Sequence, residues 1–533
     1  MLVALLYKLL INLRLFLLIF ISGYLLSQNL SAKDPPNILI ILADDLGYSD
    51  LSCYGGEIKT PNLDKIAENG LRYTQFYNTA RCWPTRAALL SGFYPQQINR
   101  DKVLDISGGG HNRHRRPSWA SLIPQYLKDI GYRSYHSGKW HIDGIPIESG
   151  FDRSYHLSDS DRFFNPKHHF DDDRKLPPVK SDSEYYSTVE IANRMIGYLE
   201  DHHEKYSEQP FFSYIAFTAP HFPLQAPQKD IDKVGDRYRL GWDVIRQKRW
   251  ENIQNLGIIK GELSAVQRKV GAPYKFPKAY KILGSEEVSY PNPWQTLTQR
   301  QKRFQRRKMV IHAAMIERMD LEIGKVIKQL KKMGKFENTL ILFLSDNGAS
   351  AEIMVRGDGH NPQAVVGSKD SYLCLGPGWS TVCNTPFKRH KTWVHEGGSC
   401  TPLIAHWPMG ISSKGSLRHS PGHVIDILPT VVELTNLDLS GKFPISLPGE
   451  SLLKTFEQDQ TPSRTLWWSH EGHHAIRRGD WKLVAVKKGP WELYNLAEDR
   501  TESHNLANDK PEIVKFLKKL WYEQVEDFRK LKN

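Results

Sequence analysis

NILIILA, residues 37–43, runs directly into Asp44-Asp45-Leu46-Gly47. The apolar run has no polar face, so it predicts a strand covered on both sides, as in a parallel sheet between helix layers. It ends in two adjacent carboxylates. The carboxyl ends of the strands are where open α/β sheets bind their ligands.

The pattern recurs three times. Tyr132 to His136 leads into Gly138-Lys139-Trp140-His141. FFSYIAF (211–217) leads into Thr218-Ala219-Pro220-His221, and TLILFL (339–344) into Ser345-Asp346-Asn347-Gly348. Helical patterns lie between them. Asn62 to Asn69 reads as a short helix closed by Gly70, and Met319, Ile323, Val326 and Leu330 mark one helix face. Alternating elements of this kind predict an α/β fold, a doubly wound mixed sheet sandwiched by helices. Residues 232–308 are basic, aromatic and weakly periodic, and read as an insertion or lid.

After a short helix from Asp426 to Leu434 the character changes. Leu466–Ser469, Ala475–Arg478, Trp481–Val486 and Glu492–Asn495 are short strand-like pieces, and Pro511–Lys530 is helical. They predict a smaller C-terminal α+β subdomain, a short antiparallel sheet with a terminal helix. The domain expectation is 1–32 as a signal, 33–440 as the main domain and 441–533 as the subdomain.

At 533 residues, 40% hydrophobic and 25% charged, the chain has material for one large core and a smaller one. Its formal net charge of +13 favours anionic partners. The run Arg300, Lys302, Arg303, Arg306, Arg307 and Lys308 carries no nucleic-acid-binding motif, so no nucleic-acid partner is expected. Lys8 and Arg14 precede an apolar stretch from Leu15 to Leu26, and Ala32 stands near a cleavage point. This reads as a secretory signal, implying a periplasmic or secreted protein with no stable membrane insertion after cleavage. An uncleaved anchor is the competing reading, but the stretch is short for a span of roughly 20 residues. Of the five cysteines, Cys53, Cys82, Cys374, Cys383 and Cys400, the pair Cys374 and Cys383 could close a local disulfide in an exported chain.

One cysteine stands apart. Cys82-Trp83-Pro84-Thr85-Arg86, followed by Ser91-Gly92, resembles the Cys-x-Pro-x-Arg signature of the formylglycine-dependent (type I) sulfatases. These form the arylsulfatase-like branch of the alkaline phosphatase superfamily. The family has Thr where Ser91 stands, a departure that keeps the hydroxyl. Asp44-Asp45, Lys139 and His141 in GKWH, His221 in APHFP, Asp346-Asn347, and Lys391 in NTPFKRHKTWVHEGG stand in the order that sulfatases show. Trp481-Lys482-Leu483 and Glu492 to Leu496 resemble the family's C-terminal subdomain. The resemblance covers nearly the whole chain after the signal.

The resemblance implies a sulfuric ester hydrolase whose Cys82 is oxidised to formylglycine (3-oxoalanine) by a formylglycine-generating enzyme that reads Pro84 and Arg86. It implies one Ca²⁺ held by Asp44, Asp45, Asp346, Asn347 and residue 82. Oxygen ligands suit calcium, magnesium is the alternative, and the lack of histidine among these ligands disfavours zinc. In the family mechanism one hydroxyl of the hydrated aldehyde attacks sulfur, with Asp346 as base and His221 as acid for the leaving alcohol. The second hydroxyl then loses a proton to His141 and sulfate is eliminated. Lys139 and Lys391 bind sulfate oxygens, Lys391 shares the leaving-group role, and Arg86 orients the nucleophile and the metal ligands. On an extended strand end, Lys139 and His141 would point to the same side.

Export, positive charge, 14 Trp and 23 Tyr favour a sulfated saccharide as substrate. A phosphonate monoester hydrolase or sulfamidase of the same superfamily is the alternative, since these share formylglycine. His168-His169, and His470, Glu471, His473 and His474, lack a recognised metal-ligand spacing and read as solvated loops, the first near the substrate pocket. Substrate contacts are expected from Asp105–Arg116, Ser158–Arg174 and the insertion.

Overall fold

Residues 37–43 form a strand buried at every position, in a computed structural model that describes residues 35–102, 114–158, 162–180, 182–460 and 464–531. The signal expected over 1–32 and most of Asp105–Arg116 lie outside the described residues. No helix among those residues is long and apolar enough to cross a membrane.

Among the described residues the main sheet has eleven strands. The first six are β1 (Asn37–Ala43), β2 (Leu71–Tyr77), β3 (Arg133–Lys139), β4 (Arg153–Leu157), β5 (His169–Asp171) and β6 (Arg174–Lys175). The rest are β7 (Phe211–Ala216), β8 (Thr339–Ser345), β9 (Cys400–His406), β10 (Ser416–Arg418) and β11 (Gly422–His423). Their spatial order is β10-β2-β9-β8-β1-β7-β3-β4-β5-β6, with β11 also on β2. The sheet is mixed, because β9 runs antiparallel to both β8 and β2.

The continuous apolar character of β1 has a direct cause. Leu39 and Ile41 pack into one core with Met195, Met319, Ile323 and Leu330. Ile38, Ile40 and Leu42 pack into another with Leu89, Leu127 and Leu428. Alternate side chains point to opposite faces, so a strand with helices on both faces needs apolar residues at every position. Each such side chain contributes roughly 1.5–3 kcal/mol of burial.

The central strands β8, β1, β7 and β3 are mutually parallel, with Ala43 opposite Ser345, Leu42 opposite Ala216, and Gly138 opposite Ala216. Their carboxyl ends are therefore level. The four polar segments that follow these strands in sequence lie along one edge of the sheet. Gly138 makes the approach possible: its φ is +122°, and a Cβ there would lie 1.9 Å from the Ala216 carbonyl oxygen.

Residues 232–308 are tied into the fold. Trp242 packs against Trp294 and Trp379, and buried Arg249 pairs with Asp50 and Glu57 at 2.8 Å each. The basic run 300–308 is the first part of a 34-residue helix, Gln299–Lys332, in which the Thr298 hydroxyl caps the Gln301 amide at 3.2 Å. Cys374 and Cys383 do not form a disulfide, and all five cysteines are free. The helix Gly376–Cys383 stands between them. Eight helical residues rise about 12 Å, too far for a disulfide whose Cα atoms must approach to within about 7 Å.

The C-terminal sheet consists of β12 (Thr465–His470), β13 (His473–Arg478), β14 (Trp481–Ala485) and β15 (Trp491–Asn495), antiparallel in that order. The helix Pro511–Lys530 buries Leu517, Trp521, Val525 and Phe528 against it and the adjoining core. A dry ionic knot ties this sheet to the end of the loop before β9. Lys482 meets Glu396 at 2.7 Å and Glu502 at 3.0 Å, and Arg500 meets Glu396 at 2.5 Å. Burial alone would raise the Glu396 carboxyl, but Lys482 and Arg500 outweigh it and hold it down to about 2.

Two stability outcomes follow from these contacts. Glu396→Gln strips two buried cations of a shared partner and should lower unfolding stability at neutral pH by about 3–5 kcal/mol in urea titrations. A depressed carboxyl stabilises the fold above its unfolded value of about 4.3 and loses that contribution as pH falls through its folded value. The gap between parent and variant should therefore close between roughly pH 4 and pH 2. Gly138→Ala should lower the thermal midpoint by forcing β3 away from β7, at a stability loss on the order of 3 kcal/mol.

Candidate active site

The loop after β2 turns at Ala80, whose φ is +62°, into the helix Cys82–Ser91. Arg81 is extended and Cys82 takes the first helical position. Pro84 fits this first turn, where an amide would have no helical acceptor. Arg86 lies one turn after Cys82 and so shares its face. Thr85 braces the turn by accepting from the Thr79 amide at 3.0 Å. Ser91 and Gly92 lie at the far end, where Gly92 closes the helix at φ +76°.

Arg86 is fully buried and joins three strand ends. It donates to Asp346 Oδ2 at 2.7 and 3.0 Å and to the Lys139 carbonyl at 2.9 Å, and stands 3.6 Å from Asp44 Oδ2. Lys139 Nζ reaches Asp44 Oδ2 at 2.5 Å. Lys391 Nζ reaches Asp45 Oδ1 at 2.6 Å and Glu352 at 3.5 Å. Asn347 donates to Asp45 Oδ1 at 2.7 Å. His221 Nε2 lies 3.7 Å from Asp45 Oδ2, while its Nδ1 donates to the Phe222 carbonyl at 2.6 Å. The Cys82 thiol lies in the field of Arg81, Arg86 and Lys391.

Charges packed this closely shift one another. Burial would raise Asp44, yet Lys139, His221, Arg86 and Lys391 hold it well below the carboxylate range. Burial and the neighbouring Asp44 push Asp346 up to about 7, against the pull of Arg86. Burial keeps the His221 imidazole below its ordinary value despite Asp45 and Asp44.

Asp44 Oδ1, Asp45 Oδ2 and Asn347 Oδ1 are buried without a hydrogen-bond partner among the described residues. Orphaned polar atoms in a dry site cost free energy unless a ligand satisfies them. These are hard oxygens, and Asp44 and Asp45 bring carboxylate oxygens within 4.8 Å of each other and of a ring nitrogen of His221, which the sequence had not placed among the ligands. The residues fit a divalent cation with oxygen ligands. Positive φ angles at Asp45 (65°), His141 (56°) and Thr392 (88°) place unusual backbone at this same site.

Two expectations change. β3 ends at Lys139, and His141 has left-handed backbone, so the extended-strand argument for a shared side does not hold. His141 packs beside Trp83, with ring centroids 6.0 Å apart. His470 and His473 are buried residues of a hairpin rather than parts of a solvated loop. His169 is likewise buried, within 2.8 Å of the Pro177 carbonyl and 3.2 Å of Tyr155. The sequence reading also missed Arg81 and Glu352. They pair at 3.3 Å, and Arg81 donates to Thr392 at 2.9 Å. No local motif marks either residue.

The family profile described as Sulfatase matches residues 36–437, and that described as N-sulphoglucosamine sulphohydrolase, C-terminal, matches residues 388–530. An uncharacterised sulfatase of Schizosaccharomyces pombe is 32% identical over 501 residues, covering 85% of each chain. An arylsulfatase of Klebsiella aerogenes is 31% identical over 434 residues, covering 76% of this chain and 88% of its own. The crystal structure of Ps i-CgsB in complex with k-i-k-neocarrahexaose shares the fold, with a TM-score of 0.65 and 22% identity over 92% of this chain and 93% of its own. The strand-end charges and the helix that Cys82 opens therefore sit in a chain that belongs to the sulfatase family and is a sulfatase enzyme.

Proposed function

We propose that this sulfatase is an exported enzyme that removes sulfate from a sulfated saccharide, using formylglycine made from Cys82 and one calcium ion. The observation that carries the reading is the convergence of Asp44, Asp45, Asp346 and Asn347 with Arg86, Lys139 and Lys391 beside the helix that Cys82 opens. A sulfate monoester is anionic and a poor electrophile, so its cleavage needs fixed cations on its oxygens and a strong nucleophile.

Asp44, Asp45, Asp346 and Asn347, together with residue 82, would hold the calcium. When bound, it would withdraw charge from sulfate oxygens and favour an anionic nucleophile. A formylglycine at position 82 would supply a covalent oxygen nucleophile that is regenerated after each turnover. The chain's own residues supply the remainder. Arg86 fixes Asp346 and the strand end at Lys139. Lys139 and Lys391 hold sulfate oxygens, and Lys391 also favours departure of the alcohol oxygen. His221 turns Nε2 to the leaving oxygen, because Nδ1 is committed to the Phe222 carbonyl, and serves as general acid in its imidazolium form, which Asp45 and Asp44 favour against burial. Asp346 and His141 serve as bases.

A formylglycine-generating enzyme is the partner that maturation requires, and the signal read over 1–32 places the mature protein in the periplasm or outside the cell. Of the alternative activities, sulfamidase has a specific observation in its favour, the match of residues 388–530 to the N-sulphoglucosamine sulphohydrolase C-terminal description.

Purified protein should release sulfate from O-sulfated disaccharides faster than it turns over matched phosphonates or sulfamates. Cys82→Ala should abolish that release, and EDTA should suppress it until Ca²⁺ is restored. Preferential phosphonate or sulfamate turnover would favour the alternative activities instead.

A further inference from the structure

Glu352 lies six residues after Asp346, in the loop that follows β8, and is 1% exposed. It is neither a proposed calcium ligand nor a group assigned to the reaction, yet it touches two cations beside the site. Its Oε1 accepts from both terminal nitrogens of Arg81, at 3.3 Å each. Its Oε2 accepts the Ser350 hydroxyl at 2.8 Å and stands 3.5 Å from Lys391 Nζ. Burial would raise this carboxyl, but Arg81, Lys391 and His221 hold it well below the carboxylate range. It therefore stays charged.

Both cations lead to reacting groups. Arg81 directly precedes Cys82, and it also donates to Thr392 Oγ1 at 2.9 Å. Thr392 directly follows Lys391, and its amide donates to the Ala80 carbonyl at 2.8 Å. Residues 80–81 and 391–392 are thus laced together, with Glu352 bridging their cations. Thr392 is β-branched and takes φ +88°, a conformation that persists only where surrounding contacts over-determine it. The backbone that carries Lys391 is held there against its own preference. An ammonium has three donors. Asp45 Oδ1 takes one at 2.6 Å and Glu352 draws the group from 3.5 Å, which leaves a donor for an oxygen of the substrate.

We infer that Glu352 is a positioning residue, which fixes the Lys391 ammonium between Arg81 and Asp45 so that it meets the departing alcohol oxygen. Without the Glu352 charge, Arg81 and Lys391 would repel each other in a dry site, and Lys391 would turn wholly to Asp45. The inference rests on the proposed sulfatase mechanism and deepens it, since it makes one carboxylate responsible for the aim of the leaving-group cation. A carboxylate kept only to neutralise Arg81 would instead affect every substrate alike.

The test measures kcat/KM for a series of aryl sulfates in parent, Glu352→Gln, Lys391→Ala and the double variant. The series runs from 4-nitrophenyl sulfate to phenyl sulfate, whose phenolate is the poorer leaving group. Glu352→Gln should cost roughly a hundredfold on phenyl sulfate, as for a displaced catalytic group, and on the order of tenfold or less on 4-nitrophenyl sulfate, which departs with little help. In the Lys391→Ala background the same substitution should cost less than about threefold, because the group it positions is gone. Equal losses across the series, or full additivity with Lys391→Ala in folded protein, overturns the assignment and leaves the sulfatase reading intact. Thermal midpoints identify any variant that misfolds. Ser350→Ala, which frees Glu352 Oε2 of its hydroxyl, then replaces Glu352→Gln, with the same ordering of losses expected. Should Lys391→Ala misfold, the leaving-group series decides alone. Parent inactivity on every sulfate ester defeats the sulfatase reading and the assignment together.

Discussion

Asp44, Asp45 and Asp346 lie side by side at no more than 3% exposure, and everything around them answers to that fact. Like charges in a dry environment repel strongly and lose their hydration, so they persist only with cations in close contact. Arg86, Lys139 and Lys391 are those cations, each from a different stretch of chain. The parallel register of β8, β1, β7 and β3 places the acids and Lys139, while the helix that begins at Cys82 and the irregular segment around Lys391 bring the other two cations to them. Even so, three oxygens stay unmatched. Unmatched oxygens among the described residues are what the proposed calcium site would use.

The same logic explains the join between the two sheets. The knot of Glu396, Glu502, Lys482 and Arg500 lies five residues beyond Lys391 at its nearest point and braces β14 against the loop that carries Lys391. The C-terminal sheet therefore supports the cation that meets Asp45. Through β12 it also delivers His470 to the side of Trp83.

The central strands were legible because burial on both faces leaves an unmistakable apolar run, and their terminal residues were legible because sheet topology dictates where they go. β2 (LRYTQFY) was not legible, since polar residues at its half-buried positions break the run. The helix Cys82–Ser91 was equally hidden. It is buried all round and so lacks amphipathic period. Glu352 and Arg81 could not be picked out, because they stand 271 residues apart in the chain. His470 was misjudged for a related reason. Its His-Glu-Gly-His-His neighbourhood looks like a polar loop until the hairpin buries it. The basic run 300–308 looked like an insertion because only its later turns carry a clear apolar face.

The central claim is that Cys82 is the precursor of the nucleophile at a cation-ready sulfate site. Its most direct measurement is the mass of the peptide containing residue 82, from protein expressed with a formylglycine-generating enzyme and assayed for sulfate release. Active protein should carry that peptide lighter by about 18 daltons than the thiol form, the change from thiol to the aldehyde that supplies the oxygen nucleophile. Active protein in which residue 82 is wholly an unmodified cysteine would contradict the account.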